Sequence, residues 1–87
     1  VSSHCIINTG AVIEYEAELG DFVQVGAGSV INAGVKIEAE AFVGSGAVVV
    51  SGVTIGQGAR VGAGSVVIAD VLEGQTVFGN PAKPVKG

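Results

Sequence analysis

The stretch Val53–Val67, VTIGQGARVGAGSVV, decides how the whole chain is read. Its aliphatic residues Ile55, Val61 and Val67 stand six apart, and so do Val53, Ala59 and Ser65, which are small or β-branched. Side chains alternate along a strand with period two, so Val53 and Ile55, or Ala59 and Val61, point to one side. Thr54, Arg60 and Val66, which lie between, point to the other. The three remaining residues of each hexad, such as Gly56-Gln57-Gly58 and Gly62-Ala63-Gly64, form a corner. Glycine gathers there because it supplies backbone conformations that other residues resist.

Followed outward in both directions, the same step runs through Val1, Ile7, Ile13, Leu19, Val25, Ile31, Ile37, Val43 and Val49. The position four residues on is small or β-branched throughout: Cys5, Ala11, Ala17, Val23, Ser29, Val35, Ala41, Ala47, and finally Val71. A helix needs a period near 3.6, and the rival reading, a valine-rich β-sandwich, would space its turns irregularly, so the invariant step of six favours neither. Three hexads close a triangular coil of 18 residues, and residues 1–72 hold four such coils. Stacked coils hydrogen-bond to their neighbours and bury their inward residues against them. The expected fold is an all-β parallel β-helix over 1–72, with 73–87 as a C-terminal tail. Ala17, Val35, Val53 and Val71 should share one inner wall, and Ala11, Ser29, Ala47 and Ser65 another.

The outward positions fall into three columns. One reads Ile6, Gln24, Phe42, Arg60; another reads Glu18, Lys36, Thr54, Leu72; the third is Val12, Val30, Val48, Val66. A contiguous apolar stripe on an outer face marks an association surface. At 87 residues the chain has room for one small domain, whose modest core would gain from oligomerisation. A formal net charge of −4 argues against a nucleic-acid or anionic-membrane surface. With no run of 18 apolar residues and no signal peptide, a soluble protein is expected. The single cysteine, Cys5, cannot form an internal disulfide and fits a reducing cytoplasm.

The hexad Ile55-Gly56-Gln57-Gly58-Ala59-Arg60 resembles the repeat of the hexapeptide-repeat acyltransferases. The resemblance implies a left-handed helix and a homotrimer with acetyl-CoA bound between adjacent prisms, the Val12/Val30/Val48/Val66 face being the natural contact. The segment Cys5–Glu14, together with Gly20-Asp21-Phe22-Val23, is similar to sugar O- and N-acetyltransferases acting on sialic acids and bacterial amino sugars. Those proteins usually read I-E-H-D/E and then I-G-D-F-V-H. The first histidine serves as general base, oriented by the acid after it, and the second helps form the acetyl-CoA pocket.

Carried onto this chain, the base position is Tyr15, the orienting acid is Glu16 and the second histidine position is Gln24. The ending Gly79-Asn80-Pro81-Ala82-Lys83 resembles the G-N-P-A-K ending that lies near CoA. This puts Asn80, Pro81 and Lys83 with the cofactor, and Lys83 or Lys86 near a phosphate. The resemblance also implies that Gly34, Gly46 and Gly64 stand at corners where a pantetheine arm approaches closely. The implied acceptor is an amino sugar or nucleotide sugar. A phenol titrating near 10 is a poor base at neutral pH, and an amide hydrogen-bonds without titrating. Two readings stay open: an acetyltransferase domain with impaired proton transfer, and a noncatalytic trimeric β-helical scaffold. An ice-binding β-helix would want a flat threonine array, and only Thr54 stands at a face position.

The remaining candidates read as structure. His4 shares a corner with positions 20–22, 38–40 and 56–58, a different edge from that of Tyr15. Cys5 occupies a small inward position and suits a buried structural thiol. Glu14, Glu16 and Glu18, like Glu38 and Glu40, lack the histidine or paired aspartate of a metal site, and no metal is expected. Glycine corners without a strand-to-helix turn are not dinucleotide fingerprints. Nothing in the chain corresponds to the N-terminal α/β domain of the proteins it resembles, so a piece or altered version of a larger protein is expected.

Overall fold

The computed structural model describes residues 4–84. Its strands are β1 (Ile6–Ile7), β2 (Val12–Ile13), β3 (Glu18–Leu19), β4 (Gln24–Val25), β5 (Val30–Ile31), β6 (Lys36–Ile37) and β7 (Phe42–Val43). They continue with β8 (Val48–Val49), β9 (Thr54–Ile55), β10 (Arg60–Val61), β11 (Val66–Val67), β12 (Thr76–Phe78) and β13 (Lys83–Pro84). Each of β1 to β11 is the outward residue and the inward aliphatic residue of one hexad. Parallel pairing joins residues 18 apart, as in Gln24↔Phe42 and Val30↔Val48. The result is the expected parallel β-helix of about four coils, with three faces.

The mixed face is the sheet β1-β4-β7-β10-β12-β13, the valine face is β2-β5-β8-β11, and the charged face is β3-β6-β9. The core runs along the axis. Val25, Ile31, Val43, Val49, Ile55 and Val61 are completely buried there, each burial favouring the fold by roughly 1.5–3 kcal/mol. The two expected inner walls are present: Val35 and Val53 are buried on one, and Ser29, Ala47 and Ser65 on the other. The buried hydroxyl of Ser29 donates to the Gly44 carbonyl at 2.7 Å, which explains how a polar group is tolerated inside. Cys5 is half-buried, and its thiol donates to the Gly20 carbonyl.

Two kinds of corner position close the prism. The first residue of most corners accepts a turn hydrogen bond from the residue three places on, as in Ser29 N–H to Gly26 O at 3.2 Å. The third has a left-handed φ of 60–78° at positions 4, 10, 16, 22, 28, 34, 40, 46, 52, 58 and 64. A positive φ at the third of four residues is what a type II turn requires. The N–H of this third residue also reaches the neighbouring coil, as Gly46 does to Ala27 O at 2.9 Å.

The last coil departs from the expected step. Ile55 bridges Val71, 16 residues on, and Arg60 and Val61 pair with Thr76 and Val77 at the same separation. The coil is therefore two residues short. Val71 continues the column of Ile55 instead of the wall of Val35 and Val53, and Leu72 does not extend the outward column of Thr54. Thr54 N–H instead donates to the Asp70 carboxylate at 2.9 Å. Beyond β12 the chain turns and β13 pairs antiparallel with it, Phe78 opposite Lys83. Among the described residues no helix is long and apolar enough to cross a membrane.

Candidate functional site

The residues singled out from sequence fall into three groups. Tyr15, 81% exposed, and Glu16 occupy the corner between β2 and β3, and Gly34 stands one coil further along the same edge. Gln24 is exposed on the mixed face. Gly46 and Gly64 lie along the edge between the mixed and valine faces, where a Cβ added to either would meet nothing within 4 Å. The segment Gly79–Ala82 lies along β11. Val66 N–H donates to Gly79 O at 2.9 Å, Ala82 N–H to Val66 O at 2.7 Å, and Gly79 N–H to the buried Ser65 hydroxyl at 3.0 Å. Asn80, Pro81 and Lys83 are exposed at this end, while Lys86 lies outside the described residues.

Tyr15 and Glu16 thus belong to the edge where the valine and charged faces meet. Gly46, Gly64 and the Gly79–Ala82 turn lie toward the other border of the valine face. One copy of the chain does not gather them into one cleft. His4 is likewise apart from Tyr15, its ring stacked on Phe22 with centroids 4.9 Å apart and planes 12° from parallel.

Sequence reasoning missed a depression on the mixed face. It is open, about 320 Å³ in volume, and lined by Phe22, Gln24, Glu40, Ala41, Phe42 and Arg60. Gln24, Phe42 and Arg60 are successive outward residues of β4, β7 and β10 and make its floor. Phe22 and Glu40 come from the adjoining corner and make its wall. Of the eleven left-handed hexad corners, seven are glycine, at 10, 28, 34, 46, 52, 58 and 64. The four others are His4, Glu16, Phe22 and Glu40, and three of these stack in the corner beside the depression. A left-handed φ disfavours a side chain by roughly 1–2 kcal/mol, so this clustering was the available signal. A second depression, on the charged face, is lined chiefly by Glu18, Lys36, Glu38 and Gln57 and reads as a solvated surface. Among the described residues no group of three or more His, Cys, Asp or Glu could hold a metal ion.

Residues 34–69 match the family model described as bacterial transferase hexapeptide (six repeats). Comparison with curated proteins gave no significant match. Among solved structures, a histidine-to-alanine variant of GDP-perosamine N-acetyltransferase from Caulobacter crescentus, in complex with CoA and GDP-perosamine, is similar at 25% identity. That match has a TM-score of 0.69 and covers 100% of this chain and 56% of the other. Serine acetyltransferase from Neisseria gonorrhoeae in complex with serine matches at 28% identity and TM-score 0.56, over 95% of this chain and 40% of that one. Soybean serine acetyltransferase complexed with serine matches at 31% identity and TM-score 0.57, over 94% and 40%. The chain thus spans 56% or less of each of these structures. A coil superposes only on one of its own hand, and these neighbours are left-handed helices. Residues 34–69 therefore carry the hexapeptide repeat, and the chain has the left-handed β-helix fold of these acetyltransferases.

Proposed function

We propose that the chain is the β-helical part of an acetyl-CoA-dependent acetyltransferase that modifies an amino or hydroxyl group of a sugar, working as a homotrimer. The observation that carries this reading is the match, over the full length of the chain, to a sugar N-acetyltransferase whose structure holds CoA and a nucleotide sugar. The division of the candidate residues supports the trimer. Tyr15, Glu16 and Gly34 flank one border of the valine face, and Gly46, Gly64, Asn80, Pro81 and Lys83 lie toward the other. Packing copies through Val12, Val30, Val48 and Val66 brings one border beside the opposite border of the next prism.

The residues present fit CoA. The open flanks at Gly46 and Gly64 leave room for a pantetheine arm, and exposed Lys83 offers a cation to a phosphate. When bound, acetyl-CoA supplies an activated acyl group to an attacking nitrogen or oxygen. Tyr15, at the base position, orients that nucleophile by hydrogen bonding with its hydroxyl. Glu16 flanks it as the neighbouring carboxylate, and Gln24 offers an amide donor toward the acyl carbonyl. Replacing a true general base costs roughly 10²- to 10⁴-fold in rate, so turnover is expected to be slow.

A second reading, a noncatalytic trimeric scaffold, is favoured by the same two residues, Tyr15 and Gln24, standing where the resembled enzymes carry histidines. Calorimetric titration of the purified oligomer with acetyl-CoA separates the two. Saturable binding at one site per subunit supports the transferase; no binding at millimolar ligand leaves the scaffold.

A further inference from the structure

The depression on the mixed face has a composition that the fold does not explain, and of its lining only Gln24 has been assigned to the acyl donor. Two phenyl rings, Phe22 and Phe42, are 57% and 42% exposed there. The His4 ring extends the aromatic wall by stacking on Phe22. Around the rings stand three planar polar groups: the Gln24 amide, the Glu40 carboxylate and the Arg60 guanidinium. Glu40 is held by an exposed contact in which Gln57 Nε2 donates to its Oε1 at 3.3 Å.

The backbone beneath the wall is strained. His4, Phe22 and Glu40 hold φ values of 62°, 60° and 65° at three stacked corners, and the same column reverts to glycine at Gly58. A Cβ built on Gly58 meets nothing within 4 Å, so a side chain at that corner type leaves the prism toward open space. Strained non-glycine residues persist where something other than local stability selects them. The strain here coincides with the wall of the depression.

We propose that this groove is a carbohydrate subsite: Phe22 and Phe42 take the apolar face of a pyranose ring, and Glu40 and Arg60 hydrogen-bond its hydroxyl or amino groups. The choice of a sugar as occupant rests in part on the reading of the chain as a sugar acetyltransferase. The chemistry favours a neutral or singly charged ring over a polyphosphate. Glu40 offsets the charge of Arg60 within the groove, and the whole chain carries a net charge of −4. Aromatic rings offer an apolar face, and planar polar side chains offer several directed donors and acceptors around its rim. A shallow cleft with few polar groups fits part of a ligand better than the whole of one.

The test needs no acetyl-CoA, so its failure is distinct from failure of the transferase reading. Saturation-transfer NMR is measured with D-glucosamine, N-acetyl-D-glucosamine and AMP on the wild-type chain and on Phe22→Gly and Glu40→Gly. The expected result is millimolar sugar binding to wild type and at least a tenfold loss in both variants. Thermal unfolding should show Glu40→Gly melting about 2–6 °C higher, because glycine relieves the left-handed corner. Absence of sugar binding to wild type overturns the proposal, as does wild-type affinity in Phe22→Gly. A lower melting temperature for Glu40→Gly overturns it too, by giving the corner side chain a role in the fold. Tighter binding of AMP than of either sugar overturns it in favour of a base-stacking site.

Discussion

Gly26 and Gly46 belong to neighbouring coils of one edge, yet alanine should be tolerated very differently at each. A Cβ on Gly26 lies 2.4 Å from Ser45 N and 2.7 Å from both Gly44 C and Ser45 Cα, all of them backbone atoms. Restoring an ordinary contact of ~3.5 Å requires the corner 44–46 to retreat by about 1 Å. That movement stretches Gly26 N–H to Val43 O, now 2.7 Å, and Gly46 N–H to Ala27 O, now 2.9 Å. Overpacking costs roughly 1–3 kcal/mol and each weakened hydrogen bond about 1 kcal/mol, giving roughly 3–5 kcal/mol for Gly26→Ala. At Gly46 a Cβ meets nothing within 4 Å, and only its φ of 72° opposes the change. Gly46→Ala should therefore cost about 1 kcal/mol. Urea unfolding followed by circular dichroism, at one protein concentration because assembly shifts stability, measures both. The steric argument is refuted if Gly26→Ala unfolds at the same urea midpoint as Gly46→Ala or a higher one.

Three further outcomes are expected. Ser65→Ala removes the acceptor of Gly79 N–H and should cost about 1–3 kcal/mol, with faster hydrogen exchange at the Gly79 amide; unchanged exchange would show that the turn holds itself. Val48→Lys should convert trimers to monomers in sedimentation velocity, and a persisting trimer would remove the valine face as the contact. Tyr15→His should raise acetyl transfer to a sugar amine by roughly 10²- to 10⁴-fold in a coupled thiol assay, whereas no gain with intact folding favours the scaffold.

Most of the architecture was legible because one step of six residues sets strand, corner and burial together. Val35-Lys36-Ile37 reads in, out, in, and the structure buries the first and last while exposing the lysine. The two-residue slip in the last coil was hidden because Val71 suits a small inward slot and an aliphatic one equally well. The one trace of it is Gly74, whose φ of 70° aligns it with Gly58, 16 residues earlier, and not with the step of 18. The candidate site was legible only in part. Tyr15 and Gln24 stand out by comparison with a motif, but nothing in a column reading Ile6, Gln24, Phe42, Arg60 announces a concavity. That depends on the wall, whose signature is three side chains at corners where geometry asks for glycine.

The antiparallel β13 has a consequence for assembly. A parallel β-helix is a template, since the free edge of its last coil presents the same unpaired groups that the previous coil offered, and an exposed edge of this kind invites addition of another chain. On the mixed face that edge belongs to β12, and the chain folds its own Lys83–Pro84 against it in the opposite direction. Proline brings no N–H to a ladder, and lysine at an edge disfavours a further strand. On the valine face, Gly79 and Ala82 occupy the Val66 groups that a fifth coil would use. The chain carries its own stop signal against end-to-end polymerisation: at this end, growth into a fibre is blocked by two residues that a parallel strand cannot copy.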